Sequence, residues 1–115
     1  MLPVHVVIAG GHGKIALRLT ARLAARADVV TSIIRNPDHR ADVERAGGRP
    51  VVLDLEATTV DDLSQVVRGA DAVVFAAGAG PGSGAARKDT VDRAAAVLLA
   101  EAAGAAGVHR YLLVS

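Results

Sequence analysis

Val4-His5-Val6-Val7-Ile8-Ala9-Gly10-Gly11-His12-Gly13-Lys14-Ile15-Ala16 is the stretch that decides the fold. Its first six residues form an apolar run rich in β-branched side chains, which favours a strand. Gly10, Gly11 and Gly13 end that run. Beyond them Ile15, Ala16, Leu19, Leu23 and Ala27 fall on one helical face, which predicts a helix over 13–27. Strand, tight turn and helix therefore follow one another without a linker.

Glycine has physical reasons to stand in such a turn. A tight exit from a strand calls for backbone angles that a β-carbon disfavours. A pyrophosphate approaching the main chain needs the space a side chain would fill, and the unpaired amides of the first helical turn carry partial positive charge toward it. Ala16, one turn into the helix, is small enough for helix and strand to pack closely. Two readings of the glycine triplet stand: an ordinary turn, or the phosphate corner of a dinucleotide fold. Its place between an N-terminal strand and a helix favours the second.

Outward from this corner, apolar and helical segments alternate. Strands are predicted over 4–9, 29–34, 50–55, 72–77 and 111–114. Asn36 with Pro37 behind it reads as a helix start, and that helix runs to about Ala46 before Gly47. Thr58 or Thr59 caps a short helix with Leu63, Val66 and Val67 inward, ending at Gly69. A long helix over about 86–106 turns Val91, Ala94, Ala95, Leu98, Leu99 and Ala102 inward. Strands alternating with helices imply a parallel sheet with right-handed crossovers. The fold class is α/β, a Rossmann-type doubly wound sheet of strand order 3-2-1-4-5. All of 1–115 is read as one NAD(P)-binding domain. The sequence stops just after the fifth strand, so it reads as truncated there, the N-terminal part of a longer protein.

Composition agrees. Hydrophobic residues make up 51% and aromatics 2%, so the core is built from Val, Leu, Ile and Ala. Thirteen basic against twelve acidic residues give a net charge of +1, and no basic run or basic-aromatic patch points to nucleic acid. With no cysteine, thiolate catalysis and cysteine-ligated metal are excluded. His5, His12, His39 and His109 lack ligand-like spacing, so no metal is expected. The first strand is far too short to span a bilayer and Met1-Leu2-Pro3 lacks a basic leader, which makes a cytoplasmic location the default.

Arg35 stands 22 residues after Gly13, at the end of the second strand. An acid there would bind a ribose 2′-hydroxyl; an arginine accommodates a 2′-phosphate. The alternative is a solvated surface arginine. Lys14 and Arg40 are placed to add charge. Asp54 and Leu55 end the third strand, beside the expected adenine; Asp54 either accepts from its amino group or begins a turn. Ala76, Ala77 and Gly78 end the fourth strand, where small residues let a ribose lie against the backbone or simply pack. The glycine-rich loop 78–84 reads as a lid or as a solvent loop. His12 either touches the cofactor or is an exposed turn residue.

These residues resemble the short-chain dehydrogenase/reductase superfamily, in its extended and atypical branches. Gly10-Gly11-His12-Gly13-Lys14-Ile15-Ala16 is similar to that family's Gly-x-x-Gly-x-x-Gly, with Ala9 where Thr is usual and Ala16 for the last glycine. Arg35-Asn36-Pro37 resembles the second-strand exit of members that bind NADP. Gly69 to Gly78 and Gly107 to Ser115 look like the fourth and fifth strands. The group most similar includes biliverdin-reductase-B-like enzymes and NmrA-like redox sensors. The resemblance implies NADP as cofactor, with NADPH preferred over NADH, and a small-molecule substrate that the sequence does not identify. It implies an oxidoreductase; a non-catalytic NADP(H) sensor and a nucleotide-sugar epimerase are the alternatives. Enzymes of the superfamily commonly use a Tyr-x-x-x-Lys pair. Tyr111 is followed by Ser115, so this chain lacks that pair and is not expected to reduce carbonyl compounds alone. Ser115 stands where some members have a substrate-orienting serine.

Overall fold

The computed structural model describes residues 3–10, 13–76 and 85–113, with side chains from residue 93 onward in the last stretch. Five strands, β1 (His5–Ala9), β2 (Val29–Ile34), β3 (Arg49–Val52), β4 (Ala72–Phe75) and β5 (Tyr111–Leu113), pair in parallel in the order β3-β2-β1-β4-β5. Helices α1 (Lys14–Ala25), α2 (Arg40–Arg45), α3 (Val60–Val67) and α4 (Ala85–Ala105) make the connections, and a 3₁₀ turn over Pro37–His39 leads into α2. The expected fold and strand order are observed.

β1 is apolar on both sides because both sides are covered. Val7 and Ala9 pack with Ile33, Val73 and Phe75 under Leu63 and Val67 of α3 and Leu99 of α4. Val6 and Ile8 face the other way, with Val30 and Val74, under Ala16, Leu19 and Leu23 of α1. Close packing between layers uses Gly48, where a Cβ would lie 2.9 Å from Thr20 Cγ2 and 3.1 Å from Val43 Cγ1.

Several boundaries and faces differ from the sequence-based expectation. The third strand ends at Val52 rather than at residue 55, because the Asp54 carboxylate accepts from the Glu56 amide and its carbonyl accepts from Ala57 and Thr58. The helix after Pro37 opens as a 3₁₀ turn, with the Asn36 side chain accepting from the Asp38 amide. Ala27 is not on the inner face of α1. It takes a left-handed φ of 65° and ends the helix, the Asp28 amide donating back to the Leu23 carbonyl. Ile15 lies at the edge of the buried stripe and is exposed, while Thr20 is buried and donates to the Ala16 carbonyl. In α4, Ala94 is exposed and Ala95, Leu99, Ala102 and Ala103 are buried. Val91 lies outside the described side chains. Leu112 and Leu113 of the edge strand β5 are exposed.

Candidate functional site

The connections run outward from β1 to β2 and β3, then return to β4 on the other side of β1. In open parallel sheets that reversal leaves a crevice at the carboxyl ends of the strands. The residues singled out by sequence gather at those ends. Gly10 follows β1, Arg35 follows β2, Asp54 and Leu55 follow β3, and Ala76 follows β4. Gly11, His12, Ala77, Gly78 and the 78–84 loop lie outside the described residues.

Gly10 has φ 78°, a left-handed value that glycine adopts at no steric cost, and its amide donates to the Ile33 carbonyl at 3.2 Å. The Gly13 amide then donates back to the Gly10 carbonyl at 3.3 Å and closes the turn. Gly13 itself has φ −60° and ψ 156°, values open to any residue. Among the described residues, a Cβ on Gly13 would meet only the Gly10 carbonyl oxygen, at 3.7 Å, an ordinary contact. Neither its backbone angles nor packing among the described residues requires glycine at this position. What a side chain here would fill is the space before the first turn of α1.

Residues 13–15, at the start of that turn, are exposed. The first bond within α1 runs from the Leu17 amide to the Gly13 carbonyl, 2.9 Å, so the amides of Lys14, Ile15 and Ala16 have no partner inside the helix. No side chain among the described residues caps them, and the first turn carries no acid. Lys14 and Ile15 are exposed beside them, and Ala16 is fully buried against the sheet. Ala9 ends β1 and Ala76 follows the neighbouring β4, the Ala76 amide donating to the Ala9 carbonyl at 2.9 Å. These small side chains keep the floor of the crevice low.

On the β2–β3 side, Arg35 is mostly exposed, yet its guanidinium Nη1 lies 3.3 Å from Glu56 Oε2. Sequence reading did not single out Glu56. Its only signal was an acid two residues after a turn-forming Asp54, which does not reveal a partner 21 residues back in the chain. Asp54 spends one carboxylate oxygen on the Glu56 amide, at 2.9 Å. Its role as a turn former is therefore observed, and the other oxygen has no partner among the described residues. Leu55 packs its side chain on the core beside Leu63 and Val67 and leaves its backbone at the strand end. Tyr111 lies away from the crevice. Its hydroxyl donates to the Ala96 carbonyl of α4 at 2.9 Å, and burial raises its pKa.

Known proteins agree with this geometry. A family profile described as NAD(P)H-binding matches residues 10–115. A UPF0659 protein of Schizosaccharomyces pombe is 35% identical over 95% of this chain and 45% of its own length. An uncharacterized sugar epimerase of Bacillus subtilis, YhfK, is 31% identical over 97% of this chain and 52% of its own. The chain thus spans about half the length of these curated relatives. The solved structure of a candidate NAD-dependent epimerase/dehydratase from Bacillus halodurans superposes with a TM-score of 0.85 at 30% identity, covering 97% of this chain and 51% of that one. The UDP-glucose 4-epimerase of Bifidobacterium longum, solved with NAD+ and UDP, superposes at 0.79 with 19% identity over 97% of this chain and 37% of that one, a likeness of fold. Among the described residues no helix is long and apolar enough to cross a membrane.

Proposed function

The chain belongs to the NAD(P)H-binding family, of the extended and atypical short-chain dehydrogenase/reductase type, and from that premise we propose that it is the NADP(H)-binding half of a cytoplasmic oxidoreductase. The observation that carries the reading is Gly13. Its φ is ordinary, its Cβ site is uncrowded by the described residues, and it caps a helix whose first amides have no partner inside the helix. A glycine that the fold does not need is explained by a ligand that comes close to the main chain.

In this reading the Gly10–Gly13 turn, with Gly11 and His12, and the first turn of α1 take the pyrophosphate, with Lys14 adding charge. Arg35 faces the 2′-phosphate. Asp54 and Leu55 border the adenine, and Ala76, Ala77 and Gly78 border a ribose. A bound nicotinamide supplies the hydride chemistry; the protein's part is position and electrostatics. A second reading is an epimerase in which bound NAD is recycled, favoured by the names that the relatives from Bacillus carry. Arg35 separates the two, since an enzyme that recycles NAD gains nothing from a 2′-phosphate site.

Calorimetric titration of the 115-residue chain with NADPH and NADH tests this. Both nucleotides should bind, NADPH more tightly, and Gly13→Val should abolish binding while the thermal midpoint stays near that of the unmodified chain. A folded Gly13→Val protein with normal affinity refutes the assignment.

A further inference from the structure

Arg35 is not a free fork. Its guanidinium is paired with the Glu56 carboxylate at 3.3 Å, and the Glu56 main chain is pinned by its amide bond to Asp54. The turn after β3 thus holds an acid against the arginine that follows β2. A phosphate arriving at Arg35 meets two obstacles. It competes with Glu56 for guanidinium N–H donors, and its own charge comes within a few ångströms of a carboxylate. Opposite charges favour and like charges disfavour one another at this range, less so where water reaches them. A ribose that bears a hydroxyl instead of a phosphate meets neither obstacle, because a hydroxyl can donate to a carboxylate.

We infer that Glu56 is a specificity-determining residue, which holds the NADPH preference supplied by Arg35 below what the arginine alone would give. The inference rests on the dinucleotide reading above and concerns the discrimination between its two forms. The pair is substantially exposed, Arg35 at 74% and Glu56 at 35% of their side-chain surface, so the effect is modest. Exposed pairs contribute on the order of 0.2–1 kcal/mol, which corresponds to a change of up to about fivefold in a ratio of affinities.

The experiment measures dissociation constants for NADPH and NADH by calorimetry on the 115-residue chain, on Glu56→Gln and on Arg35→Ala/Glu56→Gln. Glutamine keeps the size of the side chain and removes its charge. The NADH-to-NADPH ratio should rise about three- to fivefold in Glu56→Gln, and the rise should shrink as ionic strength increases. In the Arg35→Ala background the gain should be smaller, because there is no guanidinium left to release. A thermal melt accompanies each variant, and Glu56→Ala serves as the second substitution should glutamine perturb the fold. A ratio that stays constant or falls in the folded variants overturns the inference and makes Glu56 a support that orients Arg35 for the phosphate. If neither nucleotide binds the unmodified chain, the dinucleotide reading itself fails, an outcome distinct from binding without a change in ratio.

Discussion

Two helices begin at the same end of the sheet and are treated in opposite ways. α3 is closed off by its own sequence: the Thr59 hydroxyl accepts from the Asp62 amide, and Asp61 and Asp62 stand in the first turn against the helix dipole. α1 has glycine at the capping position, no side-chain cap, no acid in its first turn and an exposed lysine instead. One first-turn donor of α3, the Asp62 amide, is spent on the Thr59 hydroxyl, whereas the first turn of α1 has no side-chain cap among the described residues, at the end of the sheet where the strand order reverses. A chain that caps one helix has the means to cap the other. That α1 is left open points to an anion from outside as its partner.

The comparison can be broken most sharply by giving α1 what α3 has. Gly13 already has the extended angles of a capping residue, so Gly13→Asp should supply a cap and an acid together. NADPH binding should fall by at least about a hundredfold, roughly 2.7 kcal/mol, while the thermal midpoint holds or rises slightly, since aspartate exceeds glycine as a cap by roughly a few tenths of a kcal/mol. Retained binding, read by calorimetry on the folded variant, would show that α1 was never open to a ligand.

The reciprocal change is Thr59→Ala in α3. Losing that cap should cost about 1 kcal/mol of stability and lower the melting temperature by about 4 °C for a domain near this size. NADPH affinity should not follow. A fall in affinity matching that of Gly13→Asp would mean that both helix starts serve the ligand.

The last change concerns Tyr111 of the edge strand β5, which is not placed at the crevice. Burial raises the Tyr111 pKa above its ordinary value, so the folded state holds the phenolic proton more tightly than the unfolded chain does. The stability this contributes is whole below the unfolded value, near pH 10, and is lost as pH rises through the folded one. Tyr111 is the sole tyrosine and the sequence has no tryptophan, so tyrosinate absorbance reports this group directly. Its midpoint should lie above that of the urea-unfolded chain. Tyr111→Phe should cost about 0.5–1.5 kcal/mol through the lost bond to Ala96. Equal midpoints in the two states would place the ring in water.

The strand order, the glycine turn and the position of Arg35 at the exit of the second strand were legible because each rests on local pattern: apolar runs of strand length, helical spacing, and glycine where a β-carbon is disfavoured. Local pattern misled where a residue sat at an edge. Ile15 and Ala94 keep helical spacing with buried neighbours, yet both point past the sheet. Ala27 continues the pattern of α1 but stops the helix, since the bond from the Asp28 amide to Leu23 outweighs the strain of a left-handed alanine.

From the sequence alone came the parallel sheet and the corner where a pyrophosphate would lie, because short-range sterics and periodic hydrophobicity act within one element and its turn. Only the tertiary structure decided which polar groups meet across elements. It paired Arg35 with Glu56, spent one oxygen of Asp54 on a turn, tied Tyr111 to α4, and showed that among the described residues Gly48 is needed for packing while Gly13 is not. Those outcomes depend on how far apart two segments of chain come to rest, and no spacing within a single segment contains that distance.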